Sequence, residues 1–443
     1  MLALLAIALA LTMAVLDGAI VNVALPVMAK DLRVSPAAAI FVVNGFQIAV
    51  TASLLPFASL GDILGYRRVY LFGLAVFTAA SLACALSPTL GWLVAARIAQ
   101  GIGAAGIMSV NIALVRFIYP HRLIGRGVGT VALIVAMASA AGPTVAAAIL
   151  SVATWPWLFL VNLPVGLVAF AVAMRTLPAT PRSGARFDVL SAGLNAVTFG
   201  LLIIGIDGLG QAEGRWIALA EIGGALVVGA VFVRTQLGLA APLLPVDLLR
   251  IPAFALSMAT SIASFAAQMM AYVALPFYFQ DVMRLSETQT GFLMTPWPIA
   301  IAVIAPISGR LADRYAPGLL GGIGLAVLAL GLAAVALLPA DPSAFEIGWR
   351  LTLCGLGFGL FQSPNNKVII TSAPRHRSGG ASGMQSTARL TGQSLGAALV
   401  AVIFGLGHAS GGPGPSITIA LWCACALAAL GALASVMRRQ PEG

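Results

Sequence analysis

Charged side chains are scarce in this chain. Only 9% of its 443 residues are Asp, Glu, Lys or Arg, whereas 60% are hydrophobic. Soluble domains carry about a quarter charged residues, because their surfaces face water. This shortage excludes a soluble globular protein, since so few polar side chains could not cover its surface. The sequence therefore predicts a protein that has lipid as its solvent.

Cysteine and histidine are also rare, with four and three residues. The cysteines Cys84, Cys354, Cys423 and Cys425 lie in apolar runs and have neither metal-site spacing nor a disulfide framework. The histidines lie in or beside predicted loops, and the sequence contains no nucleophile elbow and no Walker motif. We therefore expect no enzyme, no metal and no cofactor, and an ion gradient as the energy source.

Long apolar runs dominate the chain instead. Each is about 20 residues long, enough for a helix to cross roughly 30 Å of hydrocarbon. The first run lacks the basic segment of a cleaved signal peptide, so we expect it to be retained. Fourteen spans are predicted: 2–29, 36–60, 67–87, 91–118, 124–150, 155–175, 187–208, 215–234, 252–281, 288–309, 317–339, 348–371, 379–406 and 416–437. The predicted fold is an all-α integral membrane protein.

The basic residues indicate the orientation of these spans. Lys and Arg are about threefold more frequent in the loops on the amino-terminal side, which predicts that both termini are cytoplasmic. The net charge of +10 does not indicate nucleic-acid binding, because the basic residues are dispersed over short loops. We expect a multi-pass protein of the bacterial cytoplasmic (inner) membrane.

Two loops of similar sequence suggest an internal repeat. Residues 60–68 follow the second predicted span, and residues 309–315 follow the tenth. If the two loops are equivalent, the chain contains two six-helix bundles related by pseudo-twofold symmetry, a known transporter architecture. The predicted bundles are residues 1–178 and 251–443, with an inserted helix pair and linkers at 179–250.

Three longer motifs support a family resemblance. They are the run Leu16–Pro26, the helix segment Leu93–Ala105 around Arg97, and the run Trp155–Gly166. In these motifs the sequence resembles the major facilitator superfamily, specifically its fourteen-helix drug:proton antiporter branch. The resemblance implies proton-coupled export of lipophilic compounds by alternating access.

The same resemblance implies a set of gating residues. The family's cytoplasmic loop motif is kept at Asp62, Gly65, Arg67 and Arg68, although Ala58 and Ile63 depart from it. The antiporter motif of helix 5 has alanines at usual glycine positions. Its retained residues and those of the second loop copy complete the implied gating set: Gly142, Pro143, Asp313 and Arg314.

Ionisable residues inside spans are candidates for proton coupling. Asp17 lies near the middle of the first span, where an ionised group costs about 2.5–3.5 kcal/mol unless it faces a polar environment. Arg97 lies inside the fourth span, well away from Arg116 at its end, and Glu221 lies in the eighth. Asp17 and Arg97 thus suggest a proton-binding pair, with Glu221 as a secondary candidate. The alternative is a permanent structural ion pair that holds helices together.

Polar and aromatic stripes indicate where a substrate binds. Aromatic and Met side chains suit bulky lipophilic cations, while amides in apolar helices suit a cavity wall. Plain packing and interhelical hydrogen bonds are the alternatives. The candidate residues are Asn22, Asn44, Gln47, Phe265, Gln268, Met269, Tyr272, Phe361, Gln362 and Arg389.

These observations predict a proton-coupled multidrug efflux antiporter for lipophilic, cationic compounds, acting as a monomer in the bilayer. A proton-coupled exporter of one defined metabolite, of the siderophore or amino acid type, is the first alternative. A membrane-embedded enzyme acting on lipid is the second, but it needs an interfacial acid/base pair that the sequence lacks.

Overall fold

A computed structural model gives the structure of the protein. It describes residues 2–120, 124–180, 182, 187–209, 215–237, 239, 242–339, 341–374, 378–407 and 413–438. Every regular element in these ranges is helical. A helix pairs its backbone N–H and C=O groups within itself. This pairing is required in a membrane, because the hydrocarbon offers no hydrogen-bond partners.

The helices of the first half lie where the apolar runs predict them. They are α1 Leu2–Asp31, α2 Pro36–Ala39, α3 Phe41–Leu64, α4 Tyr66–Ala85, α5 Leu90–Ile118, α6 Ile124–Leu150, α7 Trp157–Leu160 and α8 Asn162–Thr176. Two further helices follow, α9 Val189–Gly208 and α10 Arg215–Leu237.

The second half begins after a 3₁₀ turn at Val246–Arg250. Its helices are α11 Pro252–Phe277, α12 Glu287–Met294, α13 Pro296–Leu311, α14 Pro317–Ala336, α15 Ala344–Ser372, α16 Ser378–Gly407 and α17 Pro413–Val436. Pro276 lies at the end of α11, which continues into a π-helical turn at Tyr278–Val282.

Twelve helical segments in the described part are long and apolar enough to cross a membrane, so the predicted count of fourteen is not confirmed. The difference lies at the fifth and twelfth predicted spans. The described apolar stretch of α6 is limited to Ala141–Leu150. Helix α15 has 29 residues but carries Glu346, Arg350 and Lys367 along its length, which lowers its apolar character.

The chain forms two compact units. Unit 1 comprises Met1–Leu201 and Gly224–Phe232, and unit 2 comprises Leu202–Gly223 and Val233–Gly443. The helix pair predicted as an insert, α9 and α10, is divided between the two units. An inserted pair with a core of its own is therefore not confirmed.

Each unit has the same internal packing pattern. In unit 1, α5 packs against α3 and α4, while α1 packs against α6 and α8, and α8 packs against α4. In unit 2, α15 packs against α13 and α14, while α11 packs against α16 and α17, and α17 packs against α14. The six-helix pattern of unit 1 is thus repeated, helix for helix, in unit 2.

Equivalent glycines fix the register of this repeat. A Cβ atom at Gly101 of α5 would lie 2.5 Å from the carbonyl oxygen of Phe46 on α3. At Gly355 of α15, a Cβ would collide in the same way with the carbonyl oxygen of Trp297 on α13. Small residues let helix backbones approach closely in membranes, where apolar burial gives little drive for association. Gly101 and Gly355 are therefore equivalent contact positions.

The first prediction concerns Gly101→Ala, with Gly91→Ala on the same helix as its control. The added methyl group at position 101 must push α3 away from α5, whereas nothing lies within 4 Å of a Cβ at Gly91. Overpacking costs about 1–3 kcal/mol. We expect Gly101→Ala to lower the midpoint of thermal unfolding in detergent, and Gly91→Ala to leave it near wild type. Equal midpoints for the two variants would contradict the close approach.

Candidate functional site

A carboxylate lies at the centre of unit 1. Asp17 sits in the middle of α1 and is fully buried. Its Oδ2 atom forms an ion pair with the guanidinium of Arg97 on α5. Its Oδ1 atom accepts hydrogen bonds from Nε2 of Gln100 at 3.0 Å and from Nδ2 of Asn162 at 2.8 Å. Both oxygens of the carboxylate are therefore occupied by donors from α5 and α8.

The guanidinium of Arg97 is held from several sides. Its Nε donates to the carbonyl oxygen of Val42 at 3.1 Å, and one terminal nitrogen donates to Oε1 of Gln100 at 2.6 Å as well as to Asp17. Gln100 also donates to Oγ of Ser81 on α4 at 2.9 Å. We call Asp17, Ser81, Arg97, Gln100 and Asn162 the Asp17 network.

Two aromatic rings enclose the cation. The guanidinium carbon of Arg97 lies 4.2 Å from the ring centre of Phe46 and 5.6 Å from that of Phe159. Such cation–π contacts strengthen when water is excluded. The Phe159 ring meets the edge of Trp155, whose indole nitrogen donates to Asp31 at 2.7 Å. Asp17 and Arg97 are thus buried, with aromatic rings packed against the cation.

Chemically, Asp17 acts only as an acceptor in this network. Each group bonded to its oxygens is an N–H donor. A proton that binds Asp17 must displace at least one of these donors. Proton binding and the Arg97 contact are therefore competing states of one carboxyl group.

The network occurs in one repeat only. Arg97 and Gln100 lie four residues and one residue before Gly101, and the equivalent positions before Gly355 hold Leu351 and Cys354. Both of these side chains are fully buried and apolar in unit 2. The charged pair is thus not required by the six-helix pattern itself.

Three of the predicted polar residues in unit 1 lie outside the network. Asn22 donates to the carbonyl oxygen of Gly18 within α1 at 3.2 Å. Asn44 and Gln47 are buried on α3, and Gln47 accepts from Thr51 through its backbone oxygen at 2.8 Å. The structure places these amides inside unit 1.

The aromatic candidates of unit 2 take part in two groups of ring contacts. Phe265 on α11 meets Phe358 on α15 edge to face, with ring centres 5.2 Å apart, and Phe358 in turn contacts Phe361 at 6.1 Å. Tyr272 contacts Trp297 at 5.1 Å. The aromatic residues predicted on α11 therefore pack against α13 and α15. Trp297 of α13 was not predicted from the sequence to belong to this group.

The polar candidates of unit 2 differ in their exposure. Gln268 and Met269 are buried on α11, whereas Gln362 on α15 and Arg389 on α16 are partly exposed. Asn365, which shares the predicted face of α15 with Phe361 and Gln362, donates to Oγ of Ser261 at 2.7 Å.

The loop motif of unit 1 is held by local contacts. Asp62 is exposed and accepts a hydrogen bond from the hydroxyl group of Tyr66. Gly65 has φ 94°, a conformation that favours glycine. Arg67 donates to the carbonyl oxygen of Met174, while Arg68 is exposed. These contacts fix the turn between α3 and α4.

The second loop copy has a different partner. Nζ of Lys367 on α15 lies 2.6 Å from Oδ1 of Asp313 and also donates to the carbonyl oxygen of Ala312 at 2.8 Å. Arg314 is exposed. This pair was not predicted from the sequence, because Lys367 lies on α15 and Asp313 in the distant turn after α13.

The remaining candidates lie away from the Asp17 network. Gly142 and Pro143 are buried on α6, and a Cβ at Gly142 would collide with the Cβ of Ala19 on α1. Glu221 lies near the start of α10, level with Gly208 at the end of α9. Gly142 thus allows α6 to pack closely against α1 at Ala19, whereas Glu221 belongs to the α9–α10 hairpin.

Fold and site together define a multi-pass integral membrane protein built from two six-helix repeats. The sequence profile of the Major Facilitator Superfamily matches residues 7–397. The chain therefore belongs to this family of transporters, and it is a transporter rather than an enzyme.

The curated relatives of this chain carry several different names. The chain is 57% identical over 403 residues to the uncharacterized transporter YebQ of Escherichia coli, covering 90% of this chain and 88% of that protein. It is 31% identical to the multidrug resistance protein Stp of Mycobacterium tuberculosis, with coverage of 90% and 75%. It is 28% identical to the riboflavin transporter RibZ of Clostridioides difficile, with coverage of 90% and 87%.

One solved structure has a similar fold, with a TM-score of 0.70. It is described as giving structural insights into substrate recognition in proton dependent oligopeptide transporters. The two chains are 15% identical, and the match covers 98% of this chain and 97% of the other. At this identity the match shows the shared fold alone.

Proposed function

We propose that the protein is a proton-coupled antiporter that exports lipophilic aromatic compounds of several kinds by alternating access. The observation that carries this proposal is the fully buried Asp17, whose two oxygens are bound by Arg97, Gln100 and Asn162. A carboxyl group in this position can hold either a proton or a guanidinium. The exchange between these two states links proton movement to a change of helix contacts.

The aromatic residues of unit 2 support a lipophilic substrate. Phe265, Phe358 and Tyr272 offer ring faces and edges on α11 and α15. The sequence alone favoured cationic compounds, which need an acidic partner. Asp17, the buried carboxylate of unit 1, is already bound to Arg97. Our proposal therefore rests on the aromatic character of the substrate and not on a positive charge.

The proposal includes a topology. We place both termini in the cytoplasm, in the bacterial inner membrane, and we propose fourteen spans in a monomer. Helices α6 and α15, with 27 and 29 residues, supply the two spans beyond the twelve described above. At about 1.5 Å per residue, each is long enough to cross the hydrocarbon.

Transport in proteoliposomes tests the proposal. Purified protein is reconstituted, and accumulation of ethidium, naphthalene-2-carboxylate and riboflavin is followed with an imposed pH gradient, a sodium gradient or no gradient. We expect the pH gradient alone to drive accumulation of more than one compound. Accumulation that follows the sodium gradient, or none with any gradient, contradicts the proposal.

A second candidate function is export of one defined metabolite. It is favoured by the relative named as a riboflavin transporter, which is 28% identical over 403 residues. The same experiment separates the two functions, because a dedicated metabolite exporter accumulates one compound of the panel and excludes the others.

The loop motif provides a prediction about turnover. Asp62→Asn removes the charge but keeps an oxygen that accepts from Tyr66. If the charge of Asp62 stabilises one conformation, a change of about 1.4 kcal/mol alters the equilibrium tenfold. We expect turnover to fall several-fold while substrate affinity persists, as measured by transport and by equilibrium binding.

Asp188→Asn is the matched control for this variant. Asp188 caps α9 by accepting from the backbone nitrogen of Ser191 at 3.0 Å, and asparagine caps equally well. Asp188→Asn should therefore transport like wild type. Wild-type turnover in Asp62→Asn, together with lower thermal stability, would reduce Asp62 to a structural role.

A further inference from the structure

We infer that unit 2 contains a substrate site for aromatic acids, in which Arg389 binds the anionic group and Phe265 contacts the aromatic body. This inference rests on the proposed function and specifies its substrate class. Three features carry it: the depth of Arg389 in the membrane, its lack of an acidic partner among the described residues, and its position beside polar and aromatic groups of α11 and α15.

Arg389 lies deep in a membrane-spanning helix. It is 11 residues from the start of α16, or about 16 Å along the helix axis. Its side chain is partly exposed. A charged side chain at this depth does not face hydrocarbon, and such residues line a water-filled interior or bind a partner. The guanidinium therefore faces an aqueous space, a ligand or a polar group of the protein rather than hydrocarbon.

No acidic side chain in the described part of the chain pairs with Arg389. Its Nε atom is buried without a hydrogen-bond partner there. The other two intramembrane or near-membrane cations named above differ in this respect, since Arg97 binds Asp17 and Lys367 binds Asp313. The described acids of the α11–α17 region lie at or beyond helix ends: Asp281, Glu287, Asp313, Asp341 and Glu346. Arg389 thus retains its capacity to bind an anion.

The packing of α16 locates the polar neighbours of Arg389. Gly392 contacts the backbone oxygen of Ile262 on α11, and Gly396 contacts Ala266 one turn further, so the two helices run in the same direction. Arg389 precedes Gly392 by about one turn and therefore lies level with the part of α11 around Ser261. Asn365 of α15 binds Ser261 at this level.

Asn365 adds a second unused polar atom. Its Nδ2 donates to Oγ of Ser261 at 2.7 Å, while its Oδ1 is buried without a partner in the described part of the chain. Buried polar atoms are rarely left without hydrogen bonds, so this orphaned acceptor points to a missing donor such as a water molecule, and not to the anionic group itself. Arg389 and Asn365 approach this level from α16 and α15, on two helices that both pack against α11.

An aromatic wall begins one turn from these polar groups. Phe265 follows Ser261 by four residues and shares its face of α11. Its Cβ lies 3.0 Å from the position of a Cβ at Gly392, and its ring meets Phe358 at 5.2 Å. A ligand with an anion at Arg389 therefore directs its body toward Phe265. A carboxylate is suited to this role, because a guanidinium binds it through two parallel hydrogen bonds.

The test uses three probes of the same shape and different charge: naphthalene-2-carboxylate, naphthalene-2-carboxamide and 2-naphthylmethylammonium. Binding to the purified full-length protein is measured by calorimetry up to millimolar concentrations. We expect the carboxylate to bind about tenfold more tightly than the amide, and the ammonium most weakly, because a charge-assisted hydrogen bond exceeds a neutral one by roughly that factor.

Two variants of Arg389 test whether this residue causes the preference for the carboxylate probe. Arg389→Gln should remove the preference for the carboxylate, whereas Arg389→Lys should retain most of it. Arg438→Gln is the matched control, since Arg438 is also a buried arginine of unit 2 without a partner in the described part of the chain, but lies beyond the end of α17. It should keep the wild-type order of the three probes.

Several results would overturn the inference. They are tighter binding of the ammonium than of the carboxylate, no binding of any probe, and an equal loss for all three probes in Arg389→Gln. Asp17→Asn should keep the carboxylate preference even where it loses gradient-driven transport. Failure of the substrate site and failure of proton coupling are thus seen in different measurements.

Discussion

Asp17→Asn should abolish accumulation of substrate against a gradient while leaving exchange of substrate across the membrane without a gradient. The amide keeps the size of the carboxyl group and one acceptor for Arg97, but it does not titrate. The driving force of the pH gradient acts only through groups that bind and release protons during the cycle. We expect uphill transport in proteoliposomes to fall to the level of protein-free vesicles, with substrate counterflow retained.

Asp31→Asn is the control on the same helix. Asp31 accepts a hydrogen bond from the indole nitrogen of Trp155, and an asparagine oxygen accepts it equally. This variant should transport uphill like wild type. Uphill transport by Asp17→Asn at the wild-type rate would leave the Asp17–Arg97 pair as a purely structural contact, which is the alternative that the sequence already raised.

Arg97→Leu should have the largest effect on stability. The substitution introduces the side chain found at the equivalent position of unit 2, Leu351. It leaves the Asp17 carboxylate fully buried without its cation, and breaking a buried ion pair in this way costs about 3–5 kcal/mol. We expect a large drop in the unfolding midpoint in detergent, measured by intrinsic fluorescence, and a low yield of folded protein.

A double variant separates charge from packing. Asp17→Asn combined with Arg97→Leu removes both charges, and replacing a buried ion pair with neutral groups is often tolerated. The double variant should therefore be more stable than Arg97→Leu alone, although inactive in uphill transport. If it is no more stable than Arg97→Leu, the loss stems from the packing of Arg97 between Phe46 and Phe159.

A substitution of Arg438 should affect the unfolding midpoint differently from a substitution of Arg97. Burial lowers the pKa of its guanidinium to about 10, and none of its side-chain nitrogens has a partner in the described part of the chain. Its charged form at neutral pH thus reduces the stability of the folded state. Arg438→Leu should leave the unfolding midpoint unchanged or raise it, in contrast to Arg97→Leu.

The sequence predicted the fold class because apolar runs of membrane length are unambiguous in composition. It did not determine the span count, since α15 mixes apolar residues with Glu346, Arg350 and Lys367. Nor did it predict how α9 and α10 divide between the units. Such boundaries depend on which helix faces pack together, and low-charge helices carry little information about that.

Within the site, intramembrane charges were recognisable because each is costly in lipid. Asp17 and Arg97 therefore stood out, and the structure brings them into contact. Ser81 and Asn162 did not stand out, because neutral polar residues occur on many membrane helices. Their place in the Asp17 network depends on the packing of α4 and α8 around α1. Only the three-dimensional arrangement of the helices shows it.

The most direct test of proton coupling through Asp17 is proton release from the purified protein when substrate binds. Wild type and Asp17→Asn are placed in weakly buffered detergent solution with a pH indicator, and a compound that binds both proteins is added. We predict that wild type releases protons on binding and that Asp17→Asn releases none, because substrate binding shifts molecules in which Asp17 holds a proton to the state in which it holds Arg97. Equal proton release by the two proteins would contradict it.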